Sequence, residues 1–150
     1  MSSFIARQPI FNKDKTVYAY ELLYREEGQG EYTGIDGDNA TLNVMSNSLT
    51  SIGMDTLIGS KRAFVNFTEK LIKGKIAYLF SKDQLVIELL ENVKPTMEVI
   101  KACTELKNGG YTIALDDFIF QEGYDDLVDL ADIIKLDFIV SSIKENKEII

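Results

Sequence analysis

Apolar residues fall along this chain in short runs, and several of the runs stop at a polar or charged side chain. The clearest is Ile113-Ala114-Leu115-Asp116-Asp117-Phe118, a branched apolar run closed by two adjacent carboxylates. Runs of this length bounded by turn signals read as strands covered on both faces. The pattern occurs three more times, in Ala63-Phe64-Val65-Asn66, Leu85-Val86-Ile87-Glu88 and Ile133-Ile134-Lys135-Leu136-Asp137. Neighbouring copies lie roughly 20 to 30 residues apart, about the length of a strand, a crossover helix and two short loops. Repeated βα units are predicted. One polar strand end alone would be unremarkable, but four in series point to a shared site, since binding groups in such sheets gather at the carboxyl ends of the strands.

Ahead of these units, Phe4 to Phe11 and Thr16 to Arg25 are strand-like runs around the polar turn Asn12-Lys13-Asp14-Lys15, which predicts a hairpin. Pro9 lacks an amide proton, so the first run is expected at a sheet edge or broken at that point. Glu26 to Gly37, with four glycines, reads as a loop. Asp38 is positioned to cap a helix from Asn39 to about Ser51, its apolar stripe carried by Ala40, Leu42, Val44, Met45 and Leu49. Gly53 marks its end, with the pattern resuming through Met54, Leu57 and Ile58. Thr68 caps a short helix over Glu69 to Ile72, which Gly74 breaks. Pro95-Thr96 opens a helix with the stripe Val99, Ile100, Cys103 and Leu106, ended by Asn108-Gly109-Gly110. A further helix is predicted from Tyr124 to Leu130, where Asp125, Asp126 and Asp129 read chiefly as a solvated face. A last one begins after Ser141-Ser142.

About six mostly parallel strands are too few for the eight-stranded barrel that the pattern suggests, for which roughly 250 residues are typical. The pattern therefore predicts an open sheet or the N-terminal portion of a longer barrel.

Composition narrows the chemistry. A hydrophobic content of 45% over 150 residues is that of a folded domain. A net charge of −8 argues against affinity for nucleic acid polymers, while leaving room for a small anion offset by metal ions and a few cationic side chains. The chain has no histidine, which removes Ser-His catalysis and the usual transition-metal ligands. Oxygen ligands suited to magnesium, calcium or manganese remain. The single cysteine, Cys103, allows no disulfide framework and fits a reducing, cytoplasmic setting. No segment has a membrane-spanning apolar length, and Met1-Ser2-Ser3 leads into a strand-like run without a signal peptide, so no membrane association is expected.

The strand-end residues, in this order, resemble the EAL family of cyclic di-GMP phosphodiesterases. Glu21-Leu22-Leu23-Tyr24-Arg25 stands where that family has Glu-Ala-Leu-Leu-Arg, and Gln8-Pro9-Ile10 matches its Gln-Pro-Ile strand. Val65-Asn66-Phe67 is similar to Val-Asn-Leu, Glu88-Leu89-Leu90-Glu91 to Glu-Leu-Thr-Glu, Asp116-Asp117-Phe118 to Asp-Asp-Phe and Lys135-Leu136-Asp137 to Lys-Ile-Asp. The match runs from about Ile5 to Val140. The opening is most similar to the branch in which an EAL domain precedes an HDOD domain.

The resemblance implies an α/β fold, a partial TIM-like (β/α) barrel with an N-terminal β-hairpin, truncated after about six strands. Residues 1–150 would be the N-terminal portion of an EAL domain, the remainder and any HDOD domain lying beyond Ile150. It implies Glu21, Asn66, Glu88 and Asp116 as ligands of Mg2+ or Mn2+, with Asp117 serving a second metal. Lys135 would act with Glu21 in catalysis by positioning or activating the attacking water. Gln8, Leu23 and Arg25 would contact cyclic di-GMP. Alternation along a strand places Lys135 and Asp137 on one face, so a plain ion pair between them is the competing account of Lys135.

The chain also departs from the family. Ile119-Phe120-Gln121-Glu122-Gly123 follows Asp117-Phe118 where the family has a glycine-containing loop, and a loop that needs glycine dihedrals does not keep its shape with bulky residues. Leu90 replaces a hydroxyl residue. These departures support an alternative, a non-catalytic EAL module for ligand binding or protein interaction. An unclosed barrel with an unpaired edge is expected to self-associate, as a dimer.

Overall fold

The computed structural model describes residues 3–26, 42, 46, 53–116 and 122–136, with the side chains of residues 3, 4 and 24–26 outside that set. The first two strands, β1 (Ser3–Phe11) and β2 (Val17–Glu26), form the predicted antiparallel hairpin. Its turn follows from local chemistry. Asn12 Oδ1 accepts from the backbone N–H groups of Asp14 (3.0 Å) and Thr16 (3.2 Å), an Asx-type arrangement that reverses the chain. Pro9 costs the sheet nothing, because β1 is an edge strand.

Beyond the hairpin the sheet is parallel and grows in sequence order, through β3 (Arg62–Phe67), β4 (Leu85–Leu89), β5 (Thr112–Leu115) and β6 (Ile133–Ile134). The connections carry α1 (Met54–Ile58), α2 (Glu69–Lys73), α3 (Met97–Asn108) and α4 (Asp125–Leu130). Thr68 and Thr96 each cap a helix, accepting from Leu71 N–H at 3.3 Å and Val99 N–H at 3.2 Å. A 3-10 turn at Ile76–Leu79 was not legible in the sequence; it follows Lys75, which takes a left-handed conformation (φ 60°) just after Gly74.

Side chains alternate across each strand and so divide the core in two. On the helix-covered face, Leu22, Ala63, Val65, Phe67, Leu85, Ile87, Leu89, Ile113 and Leu115 pack with α1 to α4 in the larger cluster. Full burial of side chains such as Phe67, Leu89 or Ile113 stabilises by roughly 1.5–3 kcal/mol each relative to exposure. The opposite face carries a smaller cluster of Ala19, Phe64, Val86 and Ala114, with Ile10 and Ile133 against it.

The helix expected from Asn39 to Ser51 falls mostly outside the described residues. Leu42 and Ser46 within it are helical, but Leu42 is 41% exposed, so the expected apolar stripe is not buried there. The helix predicted after Ser142, the loop from Glu27 to Gly37, Asp117 and the residues from Asp137 onward also lie outside the described residues. Among the described residues, no helix is long and apolar enough to cross a membrane.

Candidate metal centre

The site is built by continuing the smaller cluster one side-chain step along each strand. Two residues beyond Ala19, Phe64, Val86, Ala114 and Ile133 stand Glu21, Asn66, Glu88, Asp116 and Lys135, directed to the same face by the two-residue period. Parallel pairing keeps them level. Asn66 is in register with Glu88, and Glu88 with Ala114, while Glu21 pairs with Phe64. The ladder is prolonged past the assigned strands by Asp116 N–H donating to Leu89 O (2.8 Å) and Lys135 N–H donating to Leu115 O (2.8 Å). Both side chains are thereby fixed beside Glu88.

Carboxylate oxygens of Glu21, Glu88 and Asp116 come within 4.8 Å of one another. Lys135 Nζ lies among them, 2.5 Å from Glu88 Oε1, 3.3 Å from Asp116 Oδ1 and 3.5 Å from Glu21 Oε2. The pairing of Lys135 is thus with these three carboxylates; Asp137, its alternative partner, lies outside the described residues. Glu88 is fully buried, the one buried charged side chain among the described residues. Burial pushes its pKa up to about 8, reinforced by the charges of Glu21 and Asp116 and opposed by Lys135. For Lys135 desolvation acts to lower the pKa, but the three carboxylates outweigh it and raise it.

These residues fit a divalent cation. Glu88 Oε2 is buried and takes no hydrogen bond among the described residues, an arrangement that is costly unless a cation approaches. Three carboxylates, if all are ionised, carry −3, most of which one divalent ion offsets. Carboxylate and amide oxygens are the hard ligands preferred by magnesium, calcium and manganese.

The remaining predicted residues are distributed as follows. Gln8 is exposed and pairs with Glu21 across the hairpin, on the same face. Leu23 is half-buried, two positions past Glu21 on that face. Arg25 lies in β2 opposite Phe4, its side chain outside the described set, and Asp117 lies outside the described residues altogether. Tyr124, not singled out in the sequence, lines a shallow cavity beside Asp116 together with Leu89, Leu90, Val93 and Leu115. The sequence offers only its position ahead of α4 as a signal.

The hairpin and the sequential parallel strands make a curled six-stranded sheet whose fold matches about half the length of solved EAL-domain chains. Solved structures with this fold include LapD of Vibrio cholerae bound to c-di-GMP (TM-score 0.69, 15% identity, 97% of this chain and 42% of that one). The YkuI protein of Bacillus subtilis, solved with c-di-GMP and calcium, matches with TM-score 0.64 and 20% identity over 90% of this chain and 41% of that one. BlrP1 of Klebsiella pneumoniae, solved with manganese and cyclic di-GMP, matches with TM-score 0.58 and 21% identity over 95% and 42%.

Among curated relatives, the uncharacterized protein YuxH of Bacillus subtilis is 44% identical over 155 residues, all of this chain and 38% of YuxH. The cyclic di-GMP phosphodiesterase CdgJ of Vibrio cholerae is 29% identical over 150 residues, 99% of this chain and 35% of CdgJ. The chain thus spans a little over a third of the length of these relatives. No family model matches it.

Proposed function

We propose that this chain is the metal-holding N-terminal part of an EAL domain that hydrolyses cyclic di-GMP in the intact protein. The observation that carries the reading is the convergence of Glu21, Glu88 and Asp116 around one ammonium at the carboxyl end of a parallel sheet. Glu21, Glu88, Asp116 and the amide of Asn66 would hold Mg2+ or Mn2+, and Asp117 would serve a second ion. When bound, such an ion supplies a water of lowered pKa and offsets charge on the phosphate. Lys135 orients the attacking water, helped by Glu21. Water gives up a proton as its oxygen bonds to phosphorus, one P–O ester bond breaks, the leaving oxygen takes up a proton from solvent, and the product is the linear dinucleotide. Gln8, Leu23 and Arg25, all on the two hairpin strands, would contact the nucleotide. An HDOD domain, a cytoplasmic location and self-association as a dimer belong to the same proposal.

A second reading is favoured by the sequence after Asp117, where Ile119 and Phe120 replace small residues. There the domain binds cyclic di-GMP, or a protein partner, without cleaving it. Incubating the intact protein with cyclic di-GMP and Mg2+ or Mn2+, with linear product followed by chromatography and binding by calorimetry, separates the two. Product that vanishes in Glu21→Ala supports the hydrolase. Binding without product supports the receptor, and neither leaves an interaction module.

A further inference from the structure

The three carboxylates of this site already hold a cation, and it is the protein's own. Lys135 Nζ sits 2.5, 3.3 and 3.5 Å from Glu88, Asp116 and Glu21, inside the 4.8 Å cluster whose oxygens would ligate a metal. We propose that Lys135 is a built-in counter-ion that substitutes for the metal in the metal-free protein, so that metal binding is an exchange in which the lysine ammonium leaves the carboxylates. This rests on the metal-binding reading above.

Two geometric facts support exchange over simple addition. Magnesium requires oxygen ligands at about 2.1 Å, and an ammonium hydrogen-bonded to Glu88 and ion-paired with Asp116 and Glu21 occupies that space and repels a second cation. The enclosure is also unequal. Glu88 is fully enclosed and fixed in β4 between β3 and β5, whereas the Lys135 side chain is 29% exposed, follows the two-residue β6 and has a flexible four-carbon stem. The carboxylates stay and the lysine moves. Without this internal cation, three carboxylates, one of them fully buried, would face one another, a costly arrangement. The lysine keeps the site assembled at the expense of metal affinity.

The test compares Mn2+ and Mg2+ affinity in the intact wild-type protein, Lys135→Met, which keeps the stem and removes the charge, and Lys135→Arg. Lys135→Met is expected to be less stable than wild type in chelator but to bind Mn2+ more tightly, by on the order of tenfold or more. Its melting temperature would rise further on adding Mn2+, with Lys135→Arg close to wild type. A Lys135→Met protein that folds only with Mn2+ is the same result in stronger form. Equal or weaker Mn2+ binding by Lys135→Met overturns the exchange while leaving the metal centre standing. Absence of metal binding in all three overturns both. Should Lys135→Met not fold under any condition, the wild-type protein decides through its lysine ammonium NMR signal. A Lys135 signal shielded from solvent exchange without metal and lost on adding diamagnetic Mg2+ supports exchange. A signal that Mg2+ leaves in place overturns it.

Discussion

Two lysine–carboxylate pairs in this molecule look alike in sequence and behave oppositely. Lys135 and Glu88 meet at the carboxyl end of the sheet, and Lys107 and Asp132 meet where α3 and the turn before β6 close over β5. The Glu88 pKa is pushed up to about 8 by burial and by its acidic neighbours. That of Asp132 is lowered. Partial desolvation acts to raise it, but the Lys107 hydrogen bond, the Ile113 N–H at 3.0 Å and the charges of Lys107 and Arg62 prevail. Asp132 has cations and a donor around it and 37% of its side chain in water, whereas Glu88 shares one lysine with two competitors out of water. The first arrangement stabilises a fold. The second holds charge that a bound cation would relieve, which makes it a candidate functional site.

The largest effect expected from breaking this contrast is in Glu88→Gln. Removing the central carboxylate while keeping its shape should reduce Mn2+ binding and hydrolysis by the intact protein beyond about 100-fold. In chelator at pH 8 the variant should be no less stable than wild type, because the buried charge is gone while Lys135 keeps Glu21 and Asp116. Isothermal titration and urea unfolding check the two halves.

The pH dependence of the metal-free protein sharpens the contrast. Between the ordinary glutamate value of 4.5 and about 8, the folded protein holds a proton on Glu88 that the unfolded chain has released, so this group's contribution to stability falls as pH rises through that window. For Asp132 the sign reverses. Its folded pKa lies below the ordinary 3.8, so its contribution is present above 3.8 and is lost as pH falls through the lowered value. Urea midpoints in chelator should lose the upper slope in Glu88→Gln and part of the acid-side slope in Asp132→Asn.

The smallest effects belong to the more exposed pairs. Asp132→Ala should cost about 1 kcal/mol through the lost bond to Ile113 N–H, with metal affinity unchanged. Lys73, paired with Glu69 and Glu98 on the surface, should be replaceable by alanine with no measurable loss in urea unfolding.

Apolar runs, glycines and threonine caps were enough to place all six strands and α2 to α4 within a few residues, because these are local properties of the chain. α3 ran from the expected cap at Thr96 to the expected stop at Gly109, and β5 ended one residue before Asp116. The strand-end positions of Asn66, Glu88, Asp116 and Lys135 were legible for the same reason, while Glu21, which stands inside β2, was singled out only by the resemblance of its motif to the EAL family. Local signals did not reach Leu42, which was expected in an apolar helical stripe and is itself exposed, because burial depends on what the rest of the fold brings to that face. Nor did they distinguish Lys135 from Lys107, since each stands within three residues of an aspartate or glutamate. Only the parallel register, which brings residues up to 114 positions apart to one level, decided that Glu21, Glu88 and Asp116 converge on Lys135. Strand pairing sums contacts from distant parts of the chain. The charge and burial of a site therefore emerge only once those parts have met.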